Sequence, residues 1–136
     1  MKMNAKNFFV AALATLAAAG AGDLAMAGSK FTGNGHVVIT RGADGSGSAT
    51  GHLGYIYNST STHEWLACQK DQGDAVFCHA NDENNNVVAC SVTSNYLAQA
   101  VASISPDAIL TFRWNANGRC ISITVSHSSE AEDKQG

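Results

Sequence analysis

The chain has a single proline, Pro106, and only 14% charged residues, and both scarcities exclude things. One proline rules out collagen-like and polyproline architectures. The few charges form no Lys/Arg cluster, which argues against a nucleic-acid partner. Aromatic residues make up 7%, so each is weighed as core before it is offered as binding surface. Past the N-terminal stretch there is no long apolar run, and no membrane span is expected. Neither a G-x-S-x-G nucleophile elbow nor a G-x-x-x-x-G-K-S/T phosphate loop occurs. No cofactor is expected, and no motif supports catalysis. Serines and histidines are plentiful, so a catalytic site assembled in space stays open.

What is present begins with an export signal. Lys2 and Lys6 precede the apolar, alanine-rich run from Phe8 to Gly22, and Ala25-Met26-Ala27 fits the small-x-small cleavage pattern. Residues 1–27 therefore read as a secretory signal peptide cleaved after Ala27. Asp23 interrupts the run, which is short for a membrane anchor. The alanine richness points to an exported bacterial protein, extracellular or periplasmic. Cleavage leaves 109 of the 136 residues, with 6 of the 8 basic and 10 of the 11 acidic side chains. That length suits one domain, of a size that gains from cross-links.

Cys68, Cys78, Cys90 and Cys120 supply them. An even count in an exported domain reads as two disulfides. The gaps of 9, 11 and 29 residues lack the close pairs of a structural zinc site. The pattern favours Cys78–Cys90 with Cys68–Cys120. A hairpin centred in the Asn81–Asn86 loop sets Ala80 against Val88 and Cys78 against Cys90. A turn centred on Gln72 sets Cys68 against Val76. The rival pairing is Cys68–Cys78 with Cys90–Cys120.

The strongest local signal is Asn117-Gly118 between two alternating runs, which predicts a hairpin. With this pair at the centre of the turn, Trp114 faces Ile121, Phe112 faces Ile123 and Leu110 faces Val125, all on one apolar side. Cys120 then points the other way, which calls for a covering layer or a bulge. Earlier strands are expected at His36–Thr40, His52–Tyr57, His63–Lys70, Asp74–Ala80 and Val87–Thr93. Residues 28–51 form a glycine-rich N-terminal segment in which Arg41–Gly51 reads as a flexible connector. Ser94 or Asn95 can cap a short helix near 94–104, stopped by Pro106. Residues 52–127 form a single disulfide-bonded β domain, and 128–136 a disordered acidic tail. The fold class is mainly β: a small antiparallel sandwich or barrel of about seven strands with one short helix, stapled by disulfides.

Candidate sites are few. His63 and His79 would sit nearly opposite each other across the Asp71–Gly73 turn and could hold a metal ion, although scattered surface histidines are the simpler reading. Asp82, Asn84 and Asn86 match the opening of a calcium loop, but Val87 stands where glycine belongs and Thr93 where glutamate belongs. A polar hairpin loop is the plainer reading of that stretch. Tyr55 and Tyr57, on one face of the expected second strand, are the candidate ligand-binding aromatics. The functional expectation is a secreted, non-catalytic binding module for an extracellular protein or glycan. The alternatives are an inhibitor of a secreted hydrolase, acting through the Asn81–Asn86 loop, and a small secreted hydrolase or metal-dependent enzyme.

Overall fold

The computed structural model describes residues 35–127. The expected signal segment, the start of the glycine-rich stretch and the acidic tail lie outside the described residues. Among the described residues, seven strands form two antiparallel sheets, with two helices. β1 (Val38–Arg41), β2 (Gly47–His52), β6 (Ile109–Trp114) and β7 (Cys120–Ser126) make a four-stranded sheet in the order β1-β2-β6-β7. β3 (Trp65–Lys70), β4 (Ala75–Asn81) and β5 (Val87–Thr93) make a three-stranded sheet in chain order. Helix α1 (Leu53–Asn58) follows β2, and α2 (Asn95–Ala102) links the sheets and packs on β3, β4 and β7. The inner residues of both sheets join one core, centred on Leu110, Phe112, Val76 and Cys78.

The glycine-rich stretch is no connector over 47–52. It is β2, a central strand, and the reason lies in its partner. Gly47, Ala49 and Gly51 stand opposite Trp114, Phe112 and Leu110 of β6. Small residues face large ones, and the β6 side chains fill the space that β2 leaves. A Cβ at Gly47 would collide with the Trp114 ring and with the Thr40 carbonyl. The Trp114 indole N–H donates to the Gly45 carbonyl at 2.9 Å, tying the end of β6 to the β1–β2 turn.

Residues 53–57, expected to continue a strand, lie in α1 instead. The alternation of Leu53, Tyr55 and Tyr57 is misleading, because Ile56 is buried with Leu53 packed beside it, at helical spacing. The Asn58 side-chain amide donates to the Gly54 carbonyl and the Ser59 amide to the Ile56 carbonyl, closing the last turn. In α2 the expected cap is present: the Ser94 hydroxyl oxygen accepts from the Leu97 amide.

Four hairpins among the described residues use one loop design. In Gly42–Ser46, Asp71–Ala75, Asp82–Asn86 and Asn115–Arg119, the first amide donates to the last carbonyl. Each encloses three residues, the third with positive φ: Gly45, Asp74, Asn85 and Gly118. This is the three-residue hairpin loop with a left-handed closing residue. In three of the four, the side chain of the first residue (Asp71, Asp82 or Asn115) accepts from the amides two and four positions on.

This loop corrects two expected registers. Asn117-Gly118 is not a two-residue turn. Phe112 faces Ile123 and Leu110 faces Val125 as expected, but a bulge sets Trp114 against Cys120. Cys120 is thereby buried, and Ile121 is turned out at 53% exposure. At the other loop, Cys68 faces Cys78 rather than Val76.

The favoured disulfide pairing is overturned with that register. Cys78 does lie opposite Cys90 as expected, but it is bonded to Cys68, its neighbour on the other side. Cys90 is bonded to Cys120, and this bridge joins the two sheets beside the Ser91–Arg119 contact. The Cys68–Cys78 bridge, with a Cα separation of 4.1 Å, joins adjacent strands.

The two bridges close loops of different length, spanning 10 and 30 residues. Loop entropy assigns about 2.7 kcal/mol to the first and about 3.6 kcal/mol to the second. Replacing Cys90 and Cys120 together by alanine is expected to cost more stability than replacing Cys68 and Cys78, as read from urea unfolding. Peptide mapping without reduction is expected to yield the Cys68–Cys78 and Cys90–Cys120 peptides, and a Cys78–Cys90 peptide in freshly folded protein would contradict the structure.

Candidate functional site

The start of the described chain is pinned against α1 and the entry to β3. Gly35 passes under the Tyr55 ring, where a Cβ would come within 2.6 Å of Tyr55 Cβ and Cγ. This close approach sets the His36 ring edge-on to Tyr55, with centroids 4.8 Å apart, and brings the Tyr55 hydroxyl to 3.0 Å from His36 Nε2. The other ring nitrogen, Nδ1, lies 2.8 Å from Glu64 Oε2 and 2.9 Å from Glu83 Oε1. Glu64 has a fully buried side chain, and its Oε1 accepts the Val37 amide at 2.8 Å. Its backbone is held by the Ser61 hydroxyl oxygen, which accepts from the His63 and Glu64 amides. A buried carboxylate is tolerated only when paired and hydrogen-bonded, and Glu64 has both kinds of partner.

Two clefts flank this cluster and share Ser59 and Ser61. One, of about 470 Å³, is walled by Leu53, Ile56, Tyr57, Trp65, Leu66 and Pro106, with Glu64 among its polar groups. The other, of about 800 Å³, is polar and is lined by His36, Tyr55, Glu83 and the segment 58–61.

The sequence candidates are distributed differently from expectation. Tyr55 and Tyr57 share no face, because residues two apart on a helix point in nearly opposite directions. Tyr55 joins the histidine cluster, whereas Tyr57 stands at the apolar cleft with 90% of its surface exposed. His63 and His79 are not opposite each other. His79 faces Ala67, four residues from His63. The His79 ring packs against Trp65 at 4.2 Å with the planes tilted by 58° and lies 5.2 Å from Phe77, and burial pushes its pKa down.

Asp82, Asn84 and Asn86 form the hairpin loop described above. Asp82 Oδ1 accepts the Asn84 and Asn86 amides and Oδ2 the Asn86 side-chain amide, so both oxygens serve their own loop. Partial desolvation works to raise the Asp82 pKa. The Asn86 and Asn84 hydrogen bonds and the Arg41 charge outweigh it and hold the carboxyl below the usual range. A serine–histidine contact is present at Ser105 Oγ and His127 Nδ1, 3.1 Å apart, but His127 Nε2 faces the Ser103 carbonyl rather than a carboxylate.

His36, Glu64 and Glu83 were not reachable from sequence as a group. They come from the edge of β1, the start of β3 and a hairpin loop. The one available signal was Glu64 itself, an acid directly ahead of the Trp65-Leu66 strand.

Two pH effects follow. The neutral His79 ring is favoured in the folded state, so its contribution is complete above about pH 6.5 and declines as pH falls through the lowered folded pKa. Urea unfolding at pH 7.5 and pH 5 is expected to show a smaller loss of stability for His79→Gln than for the wild type. Asp82 contributes stability above its unfolded pKa of about 3.9 that is lost as pH falls through the lower folded value. Asp82→Asn keeps the loop, since Asn115 fills the same position in another hairpin, and is expected to remove that part of the acid-side slope; Asp82→Ala is expected to lose the loop bonds at every pH.

Comparison of the chain with protein-family models, with curated proteins and with solved structures finds no match in any of the three.

Proposed function

We propose that the protein is a secreted, non-catalytic binding domain whose ligand is a short extracellular glycan, held in the cleft beside α1. The observation that carries this reading is Tyr57, 90% exposed at the edge of an apolar cleft of about 470 Å³. A ring so exposed adds almost nothing to the core, while it offers a large, rigid face to a ligand at low entropic cost. The cleft also has the composition of a small-ligand seat: mostly apolar walls with a few polar groups, here Ser59 and Ser61. Aromatic faces suit the C–H faces of a sugar ring, and the hydroxyls suit its hydroxyl edge. Two disulfides fit an oxidising, extracellular setting.

The reading is tested on an array of short glycans with the folded domain. Tyr57→Ala is expected to leave the thermal midpoint within about 2 °C of the wild type, as for a surface change. It is expected to weaken any glycan binding by about tenfold or more, the scale of one lost aromatic contact. Unchanged glycan binding by Tyr57→Ala would remove the cleft assignment, and selective retention of peptides with no glycan bound would overturn the ligand class.

A further inference from the structure

We propose that His36, Glu64 and Glu83 form a binding site for a divalent first-row transition ion of the zinc type, with Tyr55 as the hydrogen-bond partner that orients the histidine. The site opens on the polar cleft and does not depend on the glycan reading.

The first observation is a mismatch of protons and acceptors. His36 Nδ1 is within 2.9 Å of two carboxylate oxygens from different elements, Glu64 Oε2 and Glu83 Oε1. One ring nitrogen carries at most one hydrogen. A simple histidine–glutamate clamp needs one carboxylate, and the second adds a negative charge beside a fully buried one. Even a doubly protonated His36 leaves the three groups with net charge −1. A divalent ion in place of the Nδ1 proton resolves both points, because it takes the nitrogen lone pair and both oxygens at once.

The second observation is the set of outer contacts. With Nδ1 on the ion, Nε2 carries the hydrogen and donates to the Tyr55 hydroxyl, 3.0 Å away. Glu64 Oε1 is already held by the Val37 amide, which leaves Oε2 for the ion. Metal-binding histidines and carboxylates are characteristically fixed in this way through their remaining polar atoms.

The geometry is within reach. The three candidate ligand atoms lie within 4.8 Å of one another. Bonds of about 2.0–2.2 Å in a tetrahedral arrangement separate ligand atoms by roughly 3.4 Å. The two short contacts to Nδ1 therefore open by about half an ångström. Glu83, with a side chain 54% exposed on a hairpin loop, can supply that movement at its own contact, and the partly exposed His36 ring at the Glu64 contact. The polar cleft of about 800 Å³ gives an entry path and room for a water as fourth ligand. One imidazole with two carboxylates suits zinc, whereas calcium needs six to eight oxygens.

The test is calorimetric titration of the folded, chelator-stripped protein with Zn²⁺ and with Ca²⁺ at pH 7. One zinc per chain is expected, with calcium at least about tenfold weaker. Glu83→Gln removes a ligand at an exposed position and is expected to weaken zinc by about tenfold or more while leaving the circular dichroism unchanged. Tyr55→Phe keeps the ring and removes the hydroxyl, with an expected loss of about tenfold. Cobalt substitution supplies a second readout, the strong visible absorption of a tetrahedral site, which Glu83→Gln should shift and weaken. Zinc affinity unchanged in Glu83→Gln would place the ion on other histidines and overturn the proposal, as would failure of the wild type to bind zinc below millimolar concentration.

Discussion

The fold depends on one steric fit: a strand almost without side chains laid against one that carries the largest. Gly47, Ala49 and Gly51 face Trp114, Phe112 and Leu110, and a Cβ at Gly47 would meet Trp114 and Thr40 while one at Gly51 would meet Ile56. In the unfolded chain glycines are the freest residues, so ordering them costs more than ordering others. Three large side chains buried along the β6 face offset that cost. Because β2 is fixed there, β1 is fixed beside it, and the backbone immediately before β1 is brought under Tyr55 and against Glu64.

The Glu64 contacts extend that constraint into the candidate site. A buried carboxylate receives the Val37 amide and the His36 ring from the segment leading into β1, and it belongs to the entry of the other sheet's first strand. One group thus ties the two sheets on the side away from the Cys90–Cys120 bridge. The same tie sets His36, with Nδ1 between Glu64 and Glu83 and Nε2 on the Tyr55 hydroxyl, at the lining of a polar cleft. Structural and chemical roles meet in these side chains, so Glu83, at the exposed end, separates them better than Glu64 does.

Much of the architecture was legible in the sequence, and its errors have physical causes. The mainly β, antiparallel character, the β5 limits and a helix cap at Ser94 or Asn95 follow from alternation and capping chemistry. The glycine strand was missed because composition shows only that such residues supply no packing area. It does not show that a neighbour needs the room. The two register errors have different sources: at Asn117-Gly118 a three-residue loop and a bulge shift the pairing beside the turn, whereas the Asp71–Ala75 loop is regular but centred on Gly73, one residue later than Gln72. Gly118 advertises the left-handed closing residue of these loops, but Asp74 and Asn85 adopt that conformation without glycine. The candidate site was the least legible part. Period-two reading placed Tyr55 and Tyr57 together, while burial of Ile56 made that segment helical and sent them to different clefts. His36, Glu64 and Glu83 are related only through the completed sheets.

The cysteines form a row across the three-stranded sheet: Cys68, Cys78 and Cys90 lie opposite one another on successive strands, and Cys120 reaches in from the other sheet. The sulfurs of Cys78, Cys90 and Cys120 lie within 4.8 Å of one another. Thiol–disulfide exchange needs only a thiolate and a neighbouring disulfide in reach. The two bridges are therefore not independent staples. A thiolate released at Cys78 by an external thiol that takes Cys68 into a mixed disulfide would have the Cys90–Cys120 bridge beside it, so the fate of one bridge bears on the other.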